Sequence, residues 1–162
     1  IIAPHDLKRV EHLKKIFPNA ILYSQLSNPQ TLKISNAQTL IVDCIGLLSK
    51  LYFYADIAVV GGGFHSKGLH NILEAATFGV PVFFGDQYQK NPEADELIAQ
   101  NGGKSFEDEF FAAPYILGLL KDETLMKKMG ENAKNFINSQ PNASDYILTR
   151  ILADSAQQIL SN

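Results

Sequence analysis

Between Gly61 and Glu74 the chain gathers the residues best suited to chemistry: three consecutive glycines, Gly61, Gly62 and Gly63, a further one at Gly68, and the polar side chains of His70, Asn71 and Glu74. Glycines that follow a strand permit positive φ and let backbone N–H groups come close to an anion such as a phosphate. A helix opening at Gly68 would carry His70, Asn71 and Glu74 in its first turn. The i,i+4 relation of His70 to Glu74 and the i,i+3 relation of Asn71 to Glu74 then place all three near one face at the positive end. A carboxylate in that position can accept hydrogen bonds from a ribose diol while the helix start holds a phosphate. Neither standard nucleotide motif is present. Gly63 and Gly68 have the Walker spacing, but Leu69 and His70 stand where Lys and Ser/Thr belong, and neither Ser66 nor Lys67 supplies the last glycine of G-x-G-x-x-G. A glycine-rich turn also serves where a strand merely bends into a helix, so the glycines alone leave that role open.

These residues need a strand before them and a helix and strand after them. Residues 57–60 are an apolar β-branched run that suits a strand buried on both faces. Gly79-Val80-Pro81 stops the following helix, and 82–84 make the next strand. Upstream, 1–4 read as a strand with His5-Asp6 at its carboxyl end, where open α/β sheets bind ligands. His5 is either a phosphate contact or a solvated turn residue. Asp6 can cap a helix over 7–17 whose apolar positions Leu7, Val10, Leu13, Ile16 and Phe17 follow the helical period, with His12 facing out. Strands follow over 20–23 and 39–43, separated by a long polar connection over 24–36. Ile45-Gly46-Leu47 turns into a further helix. Downstream, 85–91 form a loop in which Asp86, Gln87 and Tyr88 face either a ligand or solvent. Residues 92–100 form a helix closed by Asn101-Gly102-Gly103, and 104–106 a last strand. From Asp108 the chain is helical, with breaks expected at Pro114, at Gly130 and over 139–142. Lys121, Lys127, Lys128 and Lys134 alternate with acids as a solvated face. A final helix over 143–160 carries Ile147, Ile151, Leu152, Ala156 and Ile159 at helical spacing. This alternation predicts an α/β fold, a Rossmann-like parallel sheet with helices on both faces.

With 162 residues the chain is the size of one domain, and 46% hydrophobic with 19% charged residues is an ordinary globular composition. A formal net charge of −3 gives no electrostatic reason to expect nucleic acid as a partner. The single cysteine, Cys44, excludes an intrachain disulfide, fits a reducing compartment and is expected to act as a small buried hydrophobe. No apolar run approaches the roughly 18 residues of a membrane span. No HExxH, CxxC pair or DxD-like cluster asks for a metal. A start at Ile1, inside an apparent strand, reads as a piece of a longer chain.

Three ordered blocks resemble one family. The run GGGFHSKGLHNILEAATFGVPVFFG, the block LIVDCIGLLSKLYFYADIAVVGG and the start IIAPHD are similar to signatures of the 3-deoxy-D-manno-octulosonic acid (Kdo) transferases, and together they cover nearly the whole chain. Pro4 stands where the family has an arginine, Leu47 where its GEL triplet has glutamate, and Leu69 where it has a second glycine. The resemblance implies the C-terminal, donor-binding half of a two-domain GT-B glycosyltransferase that moves Kdo from CMP-Kdo to a lipid A precursor. It implies a single nucleotide-sugar-binding domain over 1–162, whose helices over about 108–162 pack on it or cross to an N-terminal domain. The nucleotide-binding set it implies is Pro4, His5, Ile45, Gly46, Leu47, Gly62, Gly63, Gly68, His70, Asn71, Ile72, Leu73 and Glu74. It implies no catalytic residue in this chain, since the family's glutamate base belongs to the other half, and neither cofactor nor metal. The acceptor would be met through the N-terminal domain, with the whole protein at the cytoplasmic side of the inner membrane. This piece would be soluble and inactive alone.

Two other classes share much of this pattern. A GT-B enzyme using a UDP-sugar, transferase or 2-epimerase, would use the same Glu74 geometry, and a non-enzymatic module would bind a nucleotide without transfer. The resemblance also implies a central strand, upstream of 1–4, between the strand over 1–4 and that over 57–60. Without it the expected outcome is either a sheet re-paired across those two strands or a self-associating chain.

Overall fold

Short apolar runs punctuated by turn residues fold into parallel strands joined by helical crossovers. The computed structural model describes residues 1–27, 38–65, 68–140 and 147–152, in two compact units, Ile1–Ala55 and Asp56–Asn162.

In the first unit, β1 (Ile21–Leu22) and β2 (Leu40–Ile41) pair in parallel, with Ile21 opposite Leu40. Ile2 bridges Ile41 on the free side of β2, donating to the Leu40 carbonyl at 2.8 Å and accepting from Val42 at 2.9 Å. The strand expected over 1–4 is reduced to that bridge. Ile41 and Val42 are buried and form the unit's small core with Val10. Asp6 caps as expected: its carboxylate accepts from the Lys8 N–H at 2.9 Å and starts a 3-10 turn, Leu7–Arg9, that leads into α1 (Val10–Ile16). The apolar stripe counted over 7–17 does not hold, since Ile16 and Phe17 are 54% and 37% exposed. The tighter 3.0-residue turn at the start breaks the phase on which that stripe was counted. Of the connection over 24–36, the first part makes a 3-10 turn, Tyr23–Gln25, and 28–36 lie outside the described residues. α2 (Leu48–Leu51) runs on as a 3-10 turn, Tyr52–Tyr54. Cys44 is exposed, not buried, because it falls in the turn just past β2 instead of inside the strand.

In the second unit, β3 (Ala58–Val59), β4 (Val82–Gly85) and β5 (Gly103–Phe106) form a parallel sheet in that order. α3 (Leu73–Thr77) and α4 (Pro92–Ala99) are the crossovers, and α5 (Glu109–Leu119) and α6 (Glu123–Ser139) follow. β4 is buried along its whole length, and Phe83 packs with Phe106, Ala112, Leu119 and Met129 in the core. The two aspartates that open the last helices are true caps, Asp108 accepting from Phe110 and Phe111 and Asp122 from Leu125. Gly79, at φ +72, ends the α3 crossover as expected.

Three expectations about these elements are overturned. β3 is not buried on both faces, since Val59 is 57% exposed. Ala58 and Val60 donate to Pro81 and Phe83 of β4, so the pleat turns the N–H and C=O of Ile57 and Val59 to the side where no described strand lies. Pro114 does not break α5, because the carbonyl its ring deprives of a donor, that of Phe110, belongs to an exposed residue that water can reach. Gly130 does not break α6 either; a Cβ there would lie 2.2 Å from the Gly79 carbonyl oxygen, so this glycine is a contact point between α6 and the end of the α3 crossover. The chain does leave its helix at Gln140, and the lysines at 121, 127, 128 and 134 are all exposed as expected. Of the last helix, 147–152 are helical with Ile147, Ile151 and Leu152 exposed, while Ala156 and Ile159 lie outside the described residues.

Candidate functional site

In the second unit the candidate residues lie on the loops that leave the carboxyl ends of β3 and β4. Residues 68–72 are not the opening of a helix, which the spacing predicts from Gly68. α3 begins only at Leu73, so His70 and Asn71 precede it and Glu74 alone stands in its first turn. Gly68, at φ +88, lies outside the helical region, and the Asn71 side chain takes the Leu73 N–H as a cap just ahead of α3, while backbone bonds hold the segment before it in turns. The Gly61 carbonyl accepts from His70 N–H at 3.1 Å, the Gly62 carbonyl from His65 at 3.2 Å, and the His65 carbonyl from Gly68 at 3.3 Å. The loop is thereby folded back on itself. Since α3 is five residues long, its macrodipole adds little to anion binding.

The glycines divide into two kinds. Gly62 and Gly63 are buried and face protein backbone: a Cβ on Gly62 would lie 2.1 Å from the Gly68 carbonyl oxygen, and one on Gly63 would lie 2.5 Å from that of Gly85. Gly85 returns the constraint, with its own Cβ position 2.0 Å from the Gly63 carbonyl carbon. The Gly63 carbonyl also accepts from Gln87 N–H at 2.9 Å, so the loops after β3 and β4 are clasped together. Gly85 closes β4, and its close approach to Gly63 follows from the pairing of β3 with β4, which residue order alone does not show. Gly68, at φ +88, is the other kind: nothing lies within 4 Å of its Cβ position, so a ligand can approach its backbone.

Asn71 and Glu74 are brought together. The Asn71 carbonyl oxygen accepts from Leu73 N–H at 3.0 Å, and its amide nitrogen donates to Glu74 Oε1 at 3.2 Å. Both side chains are exposed, as is His70, whose ring lies beside Gly61, 3.7 Å from that glycine's Cβ position. Ile72 is fully buried and Leu73 half-buried, so a ligand would meet the backbone of Ile72 and not its side chain. Of the loop 85–91, Asp86 and Gln87 are exposed, and Tyr88 donates its hydroxyl to Asp95 at 3.2 Å while its ring meets Phe84 edge-on.

In the first unit, Pro4 and His5 follow the Ile2 bridge and Ile45, Gly46 and Leu47 follow β2. These strands are parallel neighbours, so both turns leave the same edge. Ile45 is 88% exposed, and Gly46, at φ +84, has open space at its Cβ position. On the β1 side of β2, Asp43 accepts from Ser24, 2.6 Å from the hydroxyl and 3.0 Å from the N–H. The Ser24 hydroxyl, chiefly, holds the Asp43 carboxyl below its ordinary range.

Two hollows of about 230 and 260 Å³ lie away from all of this. One is lined by residues 16–20 with Gln38 and Thr39, and the other lies between α5 and α6. Within the second unit Gly61, His70, Asn71, Glu74, Asp86 and Gln87 are exposed, so the loops after β3 and β4 form an open rim. Among the described residues no group of three or more His, Cys, Asp or Glu side chains could hold a metal ion, and no helix is long and apolar enough to cross a membrane.

The chain matches no protein-family model. It is similar to the 3-deoxy-D-manno-octulosonic acid transferase of Chlamydia trachomatis serovar D, with 32% identity over 143 residues, 86% of this chain and 32% of that protein. The transferase of the same description from Rickettsia felis is 28% identical over 94% of this chain and 34% of its own length. That from Aquifex aeolicus is 38% identical over 39% of this chain and 18% of its own. The chain thus spans about a third of the length of the first two. Its fold is that of the crystal structure of the C-terminal CMP-Kdo binding domain of WaaA from Acinetobacter baumannii, with a TM-score of 0.71 at 22% identity over 85% of this chain and 72% of that one. The α/β architecture expected of a C-terminal GT-B half is the architecture found.

Proposed function

We propose that this chain is the donor-binding part of a glycosyltransferase that moves Kdo from CMP-Kdo to a lipid A precursor in lipopolysaccharide biosynthesis. The observation that carries this reading is the similarity to 3-deoxy-D-manno-octulosonic acid transferases over 86% of the chain, running through the loop that ends in Glu74. The clasped glycine loop supports it physically, because it leaves the Gly68 backbone and the paired Asn71 and Glu74 exposed on one rim. In this reading 1–162 act as a single nucleotide-sugar-binding domain. Open backbone around Gly68 takes the phosphate, and the Glu74 carboxylate takes the ribose hydroxyls. Backbone N–H groups near the bond between CMP and the sugar stabilise the charge that grows on the departing phosphate. No cofactor or metal takes part. The general base and the acceptor site lie in a further part of the protein, which works at the inner membrane, and the chain alone has no transferase activity.

Titration calorimetry tests this directly. CMP should bind and UMP or UDP should bind markedly less well, and Glu74→Ala should weaken CMP by about 1–3 kcal/mol, the scale of a lost charge-assisted hydrogen bond. Incubation with CMP-Kdo and acceptor should give no product above background. Preference for UDP would move the reading to a UDP-sugar enzyme, and turnover by the chain alone would show that a base such as Asp43, Asp86 or Glu93 is already present.

A further inference from the structure

A glutamate on a short exposed helix samples several rotamers unless a neighbour restrains it. Among the described residues Glu74 is restrained by Asn71, whose side-chain amide nitrogen donates to Oε1 at 3.2 Å. That amide is held in turn. Its oxygen accepts from Leu73 N–H at 3.0 Å, which leaves only the nitrogen to face Glu74; the flipped amide would set oxygen against carboxylate and give up the backbone bond as well. Asn71 thus converts a fixed point on the backbone into a fixed orientation of the carboxylate. A ribose diol offers two hydroxyl donors side by side, and a carboxylate accepts both only when its plane is correctly turned. The rim beside this pair is free of side chain at Gly68, where a Cβ would meet nothing within 4 Å.

Resting on the nucleotide reading above, we propose that Asn71 is a positioning residue and not a nucleotide ligand: it sets the Glu74 carboxylate for the ribose diol and so decides the preference for a ribonucleotide over its 2′-deoxy form. The 2′-hydroxyl is the donor lost in the deoxy form, so the preference reports the carboxylate's orientation and not binding in general.

Calorimetry with CMP and 2′-deoxy-CMP separates these effects. The unaltered chain should prefer CMP by roughly tenfold, the scale of one hydrogen bond to a charged acceptor. Asn71→Ser and Asn71→Asp each keep an oxygen for the Leu73 N–H, so the thermal midpoint should hold, but aspartate has no donor for Glu74 and the serine hydroxyl stands one bond short of the amide nitrogen that reaches it. The preference should fall to about twofold to threefold in Asn71→Ser. It should fall further in Asn71→Asp, where a like charge pushes the carboxylate away. Glu74→Ala should abolish the preference, and adding Asn71→Ser to it should change nothing more. If Glu74→Ala abolishes the preference while both Asn71 variants keep it in full, the positioning role is wrong. It is equally wrong if Asn71→Ser weakens CMP and 2′-deoxy-CMP by the same factor, or weakens CMP further in the Glu74→Ala background, since Asn71 would then be a direct ligand. A chain that binds CMP but shows no preference, with Glu74→Ala silent, overturns the nucleotide reading of this rim and the role of Asn71 with it.

Discussion

Ser24 and Asp43 join the two strands of the first unit through a hydroxyl–carboxylate bond of 2.6 Å, and its consequence is a pH dependence. Asp43 has its folded pKa lowered, first by the Ser24 hydroxyl, so the pair contributes stability above the ordinary aspartate range and loses it as pH falls through the folded value. Ser24→Ala should therefore lower the urea midpoint at pH 7, and the gap between variant and parent should close on acidification below about pH 4. A gap that stays constant down to pH 2.5 would mean that the hydroxyl acts through packing alone. By contrast, the Lys127–Glu123 pair, though only 2.7 Å apart, is exposed on both sides and spans one turn of α6, so no comparable effect is expected of it.

Two glycines inside helices show how elements can look alike in sequence and differ in the fold. Gly118 lies in α5 with nothing within 4 Å of its Cβ position, while Gly130 lies in α6 with the Gly79 carbonyl oxygen 2.2 Å from its own. Gly118→Ala should stabilise the chain by about 0.5–1 kcal/mol, since alanine costs less backbone entropy in a helix and meets no obstacle. Gly130→Ala gains the same propensity but must push α6 away from the end of the α3 crossover, so it should destabilise by roughly 2–4 kcal/mol. Denaturant titrations of the two variants should move in opposite directions. Movement in the same direction would show that the α3 to α6 contact is soft.

Among the described residues the strands form two parallel ladders, one in each unit: β1–β2 with the Ile2 bridge, and β3–β4–β5. Within the first unit β2 has a neighbour on each side, β1 and the Ile2 bridge. The outer edge of β3 is left with the N–H and C=O groups of Ile57 and Val59 facing no described strand, and such edges recruit other strands. The chain is therefore expected to self-associate with rising concentration in sedimentation experiments. Val59→Pro removes an N–H that β4 does not use and should suppress the association while leaving the β3 to β4 ladder intact. A parent chain that stays monomeric up to high concentration would show that this edge is protected.

Local chemistry was sufficient for much of this molecule. Apolar β-branched runs, the capping aspartate at 6, and glycine with proline at 79–81 act within a few residues, so the order of the strands, the α/β class and the loops that carry the candidate site were legible in the amino-acid order alone, whereas the break between α5 and α6 falls at the Asp122 cap and not at the expected Pro114 and Gly130. What the order of residues could not decide depends on which distant backbones meet. Gly62 and Gly63 read as a cradle for a ligand, yet they are spent on close approach to Gly68 and Gly85. α3 starts at Leu73 and not at Gly68 because Gly68 takes a φ of +88, outside the helical region, and the Asn71 side chain caps the Leu73 N–H. Gly130 persists inside a helix because Gly79 presses on it, and Val59 is exposed although its run is apolar throughout. A glycine is the same residue whether a phosphate or a carbonyl stands where its side chain would be, and only the tertiary structure says which one does.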